Sequence, residues 1–304
     1  MLCHFSLSHL LAEADEMKEL VRSKGGDDRL KHKVLASVFY EASTRTSCSF
    51  VAAMQRLGGT VVPVNEQHSS AQKGESIRDT AQTLACYCDA IVLRHPMKGA
   101  AAIAVSASSK PVINAGDGTG EHPTQALLDA YTIKTELGYI GAEGGGPPMV
   151  ITLLGDLKHG RTVHSLVRLL SMFPGIKLNY VAPASLAMPL EIIEEIGARG
   201  VEQTTTMTLD DAIASTDVLY VTRVQKERFE SFEEYEVIAG CYCVDAALMK
   251  KAKQKMIVMH PLPRVNEIHT DVDVDPRAAY FRQMEYGMYM RMALLSSMLL
   301  KRDV

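Results

Sequence analysis

The sequence predicts an α/β protein of two domains, each a mostly parallel sheet flanked by helices, joined by a hinge. Three observations predict this. Short apolar runs alternate with helix-like stretches along almost the whole chain. The alternation is broken once, by Gly138-Tyr-Ile-Gly-Ala-Glu-Gly-Gly-Gly-Pro-Pro148, which cannot continue a helix. At 304 residues the chain is too long for one small core and suits two domains of ordinary size. The expected division is 1–138, completed by a C-terminal helix over 284–304, and 139–283.

In the first half Val34–Tyr40 reads as a strand, and Ser43–Leu57 as a helix ended by Gly58-Gly59. Thr60–Val64 is a strand, Glu75–Tyr87 a helix, and Ala90–Leu93 and Val112–Ala115 are strands followed by the helix Pro123–Glu136. After the hinge come strand Val150–Leu154, helix Thr162–Met172, strand Leu178–Val181 and helix Leu190–Ile196. Strands Val218–Thr222 and Met256–Met259 follow, and Tyr286–Leu300 is an amphipathic helix whose methionines read as packing.

A hydrophobic content of 47% with 22% charged residues is that of a soluble globular protein. A net charge of −4 recruits neither nucleic acid nor an anionic membrane, and no apolar run approaches the roughly 20 residues of a bilayer span. The first residues show no basic leader followed by a small-residue cleavage site. The six cysteines include two Cys-x-Cys pairs around a tyrosine, which on a strand would share a face. Their spacing is not that of a zinc knuckle, so they read as reduced, small hydrophobes, which fits a cytoplasmic location. No Gly-x-Gly-x-x-Gly turn is present, so no dinucleotide is expected.

In open parallel sheets ligands sit beyond the carboxyl ends of the strands, and here those ends carry arginines. Arg45 follows the first strand in Ser43-Thr-Arg-Thr-Ser47; Arg94, Arg161, Arg223 and Arg264 follow four others. One arginine at a strand end is unremarkable, but this many point to a polyanionic ligand. Ser43–Ser47 also opens a helix, where unpaired N–H groups and the dipole favour phosphate. The competing reading is an ordinary Ser/Thr cap.

Phe39-Tyr-Glu-Ala-Ser-Thr-Arg-Thr-Ser47 resembles the carbamoyl-phosphate motif of the aspartate and ornithine carbamoyltransferases. Further blocks follow in that family's order: Gln72-Lys-Gly-Glu-Ser76, Arg94-His-Pro96, Asn114–Gln125 (with Glu-His-Pro-Thr-Gln at its end), and Gly155–His164. Leu219–Arg228 and His260-Pro-Leu-Pro-Arg-Val-Asn-Glu267 complete a resemblance that spans nearly the whole chain. His260-Pro261, where ornithine enzymes carry His-Cys, favours the aspartate branch. Arg161 and Arg223 do too, since they suit a dicarboxylate and repel a cationic side chain.

The resemblance implies that Ser43, Thr44, Arg45 and Thr46 hold phosphate, and that Thr46, Arg94 and His122 donate to the carbamoyl oxygen. Gln125 would bind the carbamoyl nitrogen, with backbone groups of Leu262 and Pro263 lining the site across a cis bond. Arg161 and Arg223 would take the carboxylates of L-aspartate, with Gln225 beside them. Ser69 and Lys73 would act in a neighbouring subunit's site, making a homotrimer the active unit. It implies no cofactor and no metal. Amide formation from a mixed anhydride needs a neutral amine, a polarised carbonyl and a stabilised leaving phosphate. Both substrates held in one cleft supply the remaining acceleration.

The motif details resemble the eukaryotic enzymes. These are typically domains of a large pyrimidine-pathway polypeptide, joined to carbamoyl-phosphate synthase and dihydroorotase-like domains. The chain is therefore expected to be such a domain, lacking the short segment that usually precedes the first helix. A transcarbamylase for another amine, or an inactive trimeric scaffold, are the alternatives. His95 is expected to support Arg94, and His159 and His164 to lie on a helix surface.

Overall fold

The computed structural model describes residues 4–65, 70–118, 120–142, 146–206, 208–224 and 242–300. The chain divides into two compact units, Met1–Tyr131 with Met284–Val304, and Thr132–Gln283.

The first unit holds α1 (His4–Lys24), β1 (Val34–Phe39), α2 (Thr44–Arg56), β2 (Thr60–Asn65) and a 3₁₀ turn, Ser70–Lys73. Then follow α3 (Ile77–Ala85), β3 (Ala90–His95), α4 (Ala100–Ala107), β4 (Val112–Asp117) and α5 (Pro123–Leu137), whose last residues pass into the second unit. The strands form one parallel sheet in the order β2-β1-β3-β4. β1 and β3 are buried almost throughout, as central parallel strands covered on both faces must be, whereas β2 at the edge is largely exposed. Ala36, Val38 and Tyr40 alternate along the chain to one face, where they pack with Ile91, Leu93, Leu84 and Ala104.

The second unit continues with β5 (Met149–Leu154), α6 (Arg161–Leu170), β6 (Ile176–Val181), α7 (Leu190–Gly197), β7 (Glu202–Thr206) and α8 (Leu209–Ile213). β8 (Val218–Val221), α9 (Ala246–Met249), β9 (Ile257–Met259) and α10 (Tyr280–Leu299) complete it, the last helix running on into the first unit. This sheet is also parallel, in the order β7-β6-β5-β8-β9. α6 buries Val163, Leu166, Val167 and Leu170 at helical spacing.

The anticipated strands and helices are all present, with ends displaced by a few residues; α10 begins at Tyr280 rather than Tyr286. Several further elements were not anticipated. α4 is a continuous Ala-rich run with no polar face to betray a period, and β7, Glu-Gln-Thr-Thr-Thr, is an edge strand without an apolar residue. The Cys86-Tyr-Cys88 pair is not on a strand: Cys86 ends α3 and is exposed, and Cys88 is buried beyond it. Nor are the cysteines uniformly core residues, because Cys48 and Cys243 are exposed as well. Gly138 follows α5 at φ +90, the left-handed position that commonly ends a helix. Residues 143–145 of the predicted hinge lie outside the described residues. No helix is long and apolar enough to cross a membrane among the described residues.

Candidate active site

Sheet order decides which strand ends become neighbours. In the first sheet the chain reverses its direction of growth between β1 and β3, and in the second between β5 and β8. Crevices open at such reversals because the connections leave toward opposite faces. Arg45 follows β1 and Arg94 is the penultimate residue of β3; Arg161 and Arg223 follow β5 and β8. Four of the five arginines singled out from sequence thus flank the two reversal points; Arg264 follows β9.

At the first reversal Tyr40 N–H donates to the Arg94 carbonyl at 2.9 Å, tying the two strand ends together. β4 carries one extra residue opposite Leu93–His95, a bulge that Gly116 makes at φ +121 with its N–H on Asn114 Oδ1. Bulges re-aim side chains beside functional sites. Here the Arg94 guanidinium turns to donate to the Ala115 carbonyl at 3.3 Å, to His122 Nε2 at 3.4 Å and to Glu41 Oε1 at 2.5 Å. A guanidinium can only donate, so His122 Nε2 accepts. A neutral imidazole then carries its proton on Nδ1.

Thr46, Arg94, His122 and Gln125 are all at most 7% exposed. Thr46 lies on the buried side of the first turn of α2, whereas Thr44 and Arg45 are exposed and Ser43 is half-buried. Ser43 occupies the N-cap place of α2, but its side chain makes no cap hydrogen bond. Ser76 and Asp245 do cap their helices, accepting from Asp79 N and Leu248 N, while Thr208 before α8, like Ser43, makes no cap bond. The reading of Ser43 as an ordinary cap therefore fails. His122 and Gln125 flank the start of α5, and the Gln125 amide donates from Nε2 to Asp129 Oδ1 at 2.8 Å. His95 packs edge-on against the Tyr40 ring and accepts the Met97 N–H at 2.9 Å, which fixes the chain just after Arg94.

At the second reversal Gly155 follows β5 at φ +111, and a Cβ there would lie 2.4 Å from the Thr222 carbonyl oxygen. Only glycine allows the ends of β5 and β8 to approach this closely. Thr222 donates from its backbone and hydroxyl to Leu154 O at 2.8 and 3.0 Å. Arg161 is the first residue of α6, whose N-cap, Gly160, has no side chain with which to cap it. Arg161 and Arg223 are both half-buried. His164 reaches back from α6 to the Leu157 carbonyl at 2.7 Å, and His159 contacts the buried Asp156 carboxylate. Both histidines thus shape the loop before Arg161 rather than decorate a helix surface.

Leu262 and Pro263 are joined by a cis peptide bond, and Leu262 stands at φ +57. His260, beneath this turn, accepts the Leu262 N–H on Nδ1 at 2.7 Å and meets Glu267 Oε1 through Nε2 at 2.8 Å. Glu267 Oε2 accepts from Val265 N and Asn266 N. Burial alone would raise the Glu267 carboxyl, but His260 and the backbone donors outweigh it and hold the pKa below the ordinary carboxylate value.

Lys73 lies on an exposed turn after the edge strand β2. Ser69 and Gln225 lie outside the described residues. Arg78 donates to Ser106 Oγ at 3.2 Å and ties α3 to α4. Glu41 and Asp129 are the residues the sequence did not single out as site residues. Glu41 sat inside a quoted motif, but its partner is 53 positions away. Among the described residues no group of three or more His, Cys, Asp or Glu side chains could hold a metal ion.

Two parallel sheets thus carry arginines at their reversal points, each point beside a helix start without a side-chain cap, as in α/β proteins that bind ligands at strand ends. Comparison with known proteins gives the family. Residues 3–135 match the aspartate/ornithine carbamoyltransferase carbamoyl-P binding domain, and residues 149–298 the Asp/Orn binding domain. The chain belongs to the aspartate/ornithine carbamoyltransferase family.

It is 57% identical over 290 residues to the multifunctional protein pyr1-3 of Dictyostelium discoideum, covering 95% of this chain but 13% of that protein. The multifunctional protein CAD of Squalus acanthias is 55% identical, with coverages of 96% and 13%. The chain therefore spans about an eighth of the length of these relatives. The aspartate carbamoyltransferase catalytic subunit of Archaeoglobus fulgidus is 47% identical, with 97% and 95% covered. Among solved structures, aspartate transcarbamoylase of Trypanosoma cruzi with carbamoyl phosphate and aspartate has a TM-score of 0.91 at 45% identity, covering 98% and 94%. The catalytic subunit of M. Jannaschii aspartate transcarbamoylase also scores 0.91, at 46% identity and with 98% and 95% covered.

Proposed function

We propose that this chain transfers the carbamoyl group of carbamoyl phosphate to the amine of L-aspartate, giving N-carbamoyl-L-aspartate and phosphate, as a step of pyrimidine synthesis. The observations that carry this reading are the burial of Thr46, Arg94, His122 and Gln125, the contact of Arg94 with His122 and Glu41, and the uncapped start of α2 after β1. A mixed carbamic–phosphoric anhydride needs those groups together: donors for a carbonyl oxygen, an acceptor for an amide nitrogen and a helix terminus for phosphate.

The N–H groups at the start of α2, the hydroxyls of Ser43, Thr44 and Thr46 and the fork of Arg45 bind the phosphate. Arg94, His122 through Nδ1–H, and the Thr46 hydroxyl donate to the carbonyl oxygen. Attack by the neutral aspartate amine forms a C–N bond and places negative charge on that oxygen, where fixed donors stabilise a tetrahedral intermediate. Collapse breaks the bond between carbon and the bridging oxygen. The leaving phosphate keeps that electron pair and accepts the proton from nitrogen. No protein base and no covalent enzyme intermediate are required. Arg161 and Arg223 pair with the two carboxylates of aspartate, Gln225 lies beside them, and the backbone of Leu262 and Pro263 completes the carbamoyl pocket.

Lys73 lies after the edge strand and not at the β1–β3 reversal. That placement supports its acting, with Ser69, in a neighbouring subunit's site, so that a homotrimer is the working unit. The long multifunctional relatives support a further reading, that the chain is one domain of a larger polypeptide; the sequence resemblance adds a cytoplasmic location and neighbouring carbamoyl-phosphate synthase and dihydroorotase-like domains to that reading. An assay offering carbamoyl phosphate with aspartate, ornithine or other amines tests the reaction. Turnover with aspartate alone is expected, and turnover only with another amine, or none, overturns the reading. For the subunit arrangement, mixing an inactive Lys73→Ala chain with an inactive Arg94→Ala chain should regenerate activity, because a trimer of both contains intact sites. No recovery in verified mixed trimers refutes shared sites.

A further inference from the structure

Behind the carbamoyl pocket, the core of the first unit holds a charge that the reaction as described does not use. Arg291, on α10, is 4% exposed. Its Nη1 donates to Ser49 Oγ on α2 at 2.8 Å, its guanidinium lies 5.0 Å from the Phe50 ring centroid, and its Nε has no hydrogen-bond partner. Gly287 makes room for it, since a Cβ there would lie 2.8 Å from Arg291 Nη1. Burial pulls the guanidinium pKa down to about 10, and the charge of Asp129 opposes that shift. Asp129 is itself completely buried and accepts the Gln125 amide. A buried guanidinium with an unsatisfied donor is often no more stable than an apolar side chain of similar volume, so stability alone does not explain its presence.

We propose that Asp129, a carboxylate buried on α5, is a positioning residue that fixes which way the Gln125 amide faces. A carboxylate can only accept, so the Gln125 atom turned toward Asp129 is Nε2, a donor. The atom turned the other way is Oε1, an acceptor. The carbamoyl group presents an NH₂ donor, whereas an acyl phosphate with a methyl in its place presents nothing to accept from. Asp129 thereby selects a carbamoyl over an acetyl group, through Gln125 and without touching either. The inference rests on the proposed reading of Gln125 as the partner of the carbamoyl nitrogen.

The test uses the whole chain and two probes: kcat/KM for carbamoyl phosphate and the competitive inhibition constant of acetyl phosphate. Replacing Asp129 alone strands Arg291, so the informative variants are double. Asp129→Leu with Arg291→Met keeps an apolar core but removes the acceptor. It should lower kcat/KM for carbamoyl phosphate roughly 10- to 100-fold, the size of one lost hydrogen bond to substrate, with acetyl phosphate inhibition changed less than about threefold. Asp129→Asn with Arg291→Met keeps an acceptor oxygen and should recover most of the rate. Adding Asp129→Leu with Arg291→Met to Gln125→Ala should cost nothing further. Equal weakening of both ligands, no recovery with Asn, or an additional loss in the Gln125→Ala background makes the pair merely structural and overturns the proposal. If Gln125→Ala itself leaves carbamoyl phosphate turnover unchanged, the underlying reading of Gln125 fails instead. Thermal melts of each variant confirm that folded protein is compared.

Discussion

The two reversal points are built from the same parts but finished differently. At β1–β3 Arg45 is exposed, but Arg94, His122 and Gln125 are buried and already bonded: Arg94 holds Ala115 O, His122 and Glu41, and Gln125 holds Asp129. At β5–β8 the backbone is just as firmly set, by Gly155 and Thr222, but Arg161 and Arg223 are half-buried at the rim. Donors that meet developing charge must be oriented before the reaction, because reorganising them during it would consume the stabilisation they offer. Arginines that select a substrate by charge need only reach it. The proposed division of labour predicts that damage to the first point is read in kcat and damage to the second in KM.

The sharpest way to break the comparison is Arg94→Ala. Loss of one fixed donor to the carbonyl oxygen commonly costs about 3–4 kcal/mol, so kcat should fall roughly 100- to 1,000-fold in steady-state assays while KM for aspartate stays near wild type. A selective rise in KM instead would show that this point binds rather than activates. Arg223→Ala is the counterpart. Losing one charged hydrogen bond to a carboxylate, about 1.5–3 kcal/mol, should raise KM for aspartate at least tenfold and move kcat less. A kcat effect as large as that of Arg94→Ala would erase the distinction.

A third variant tests the turn at Leu262–Pro263. Glu267 has its pKa lowered in the folded chain, so its stabilising contribution is complete above the unfolded value of about 4.3 and is lost as pH falls through the lower, folded value. Glu267→Gln should therefore lower stability by about 1–3 kcal/mol at neutral pH, and less below about pH 4. Melting temperatures compared at pH 7 and in that acid range check this; a deficit that grows on acidification contradicts it. The smallest effect is expected for Arg78→Ala, which removes one exposed hydrogen bond between α3 and α4. Its melting point and kinetics should match wild type within about 0.5 kcal/mol, and a larger kinetic change would mean that the exposed helices bear on the chemistry.

Much of the fold was legible because parallel strands buried on both faces are continuous apolar runs, and β1, β3, β5 and β8 are of that kind. α4 and β7 were not, because one has no polar face and the other no apolar one. In the site, Arg45 and Arg94 announced themselves as cations at strand ends. Glu41, Asp129 and Arg291 did not. A glutamate in a loop and an arginine in a Met-rich helix look solvated until the fold supplies a partner 53 residues away for one and a hydroxyl 242 residues away for the other.

By itself the sequence determined that this chain has two α/β halves, that arginines end its strands, and that Ser43–Ser47 opens a helix fit for an anion. These are local properties: periodicity, turn chemistry and helix starts depend on neighbours a few residues apart. The tertiary structure alone decided that β1 lies beside β3 and β5 beside β8. It also decided that Gly155 lets the latter pair close up, and that Gln125 faces a buried carboxylate. Those outcomes depend on which distant segments bury one another, a choice made by the whole core and by no single stretch of chain.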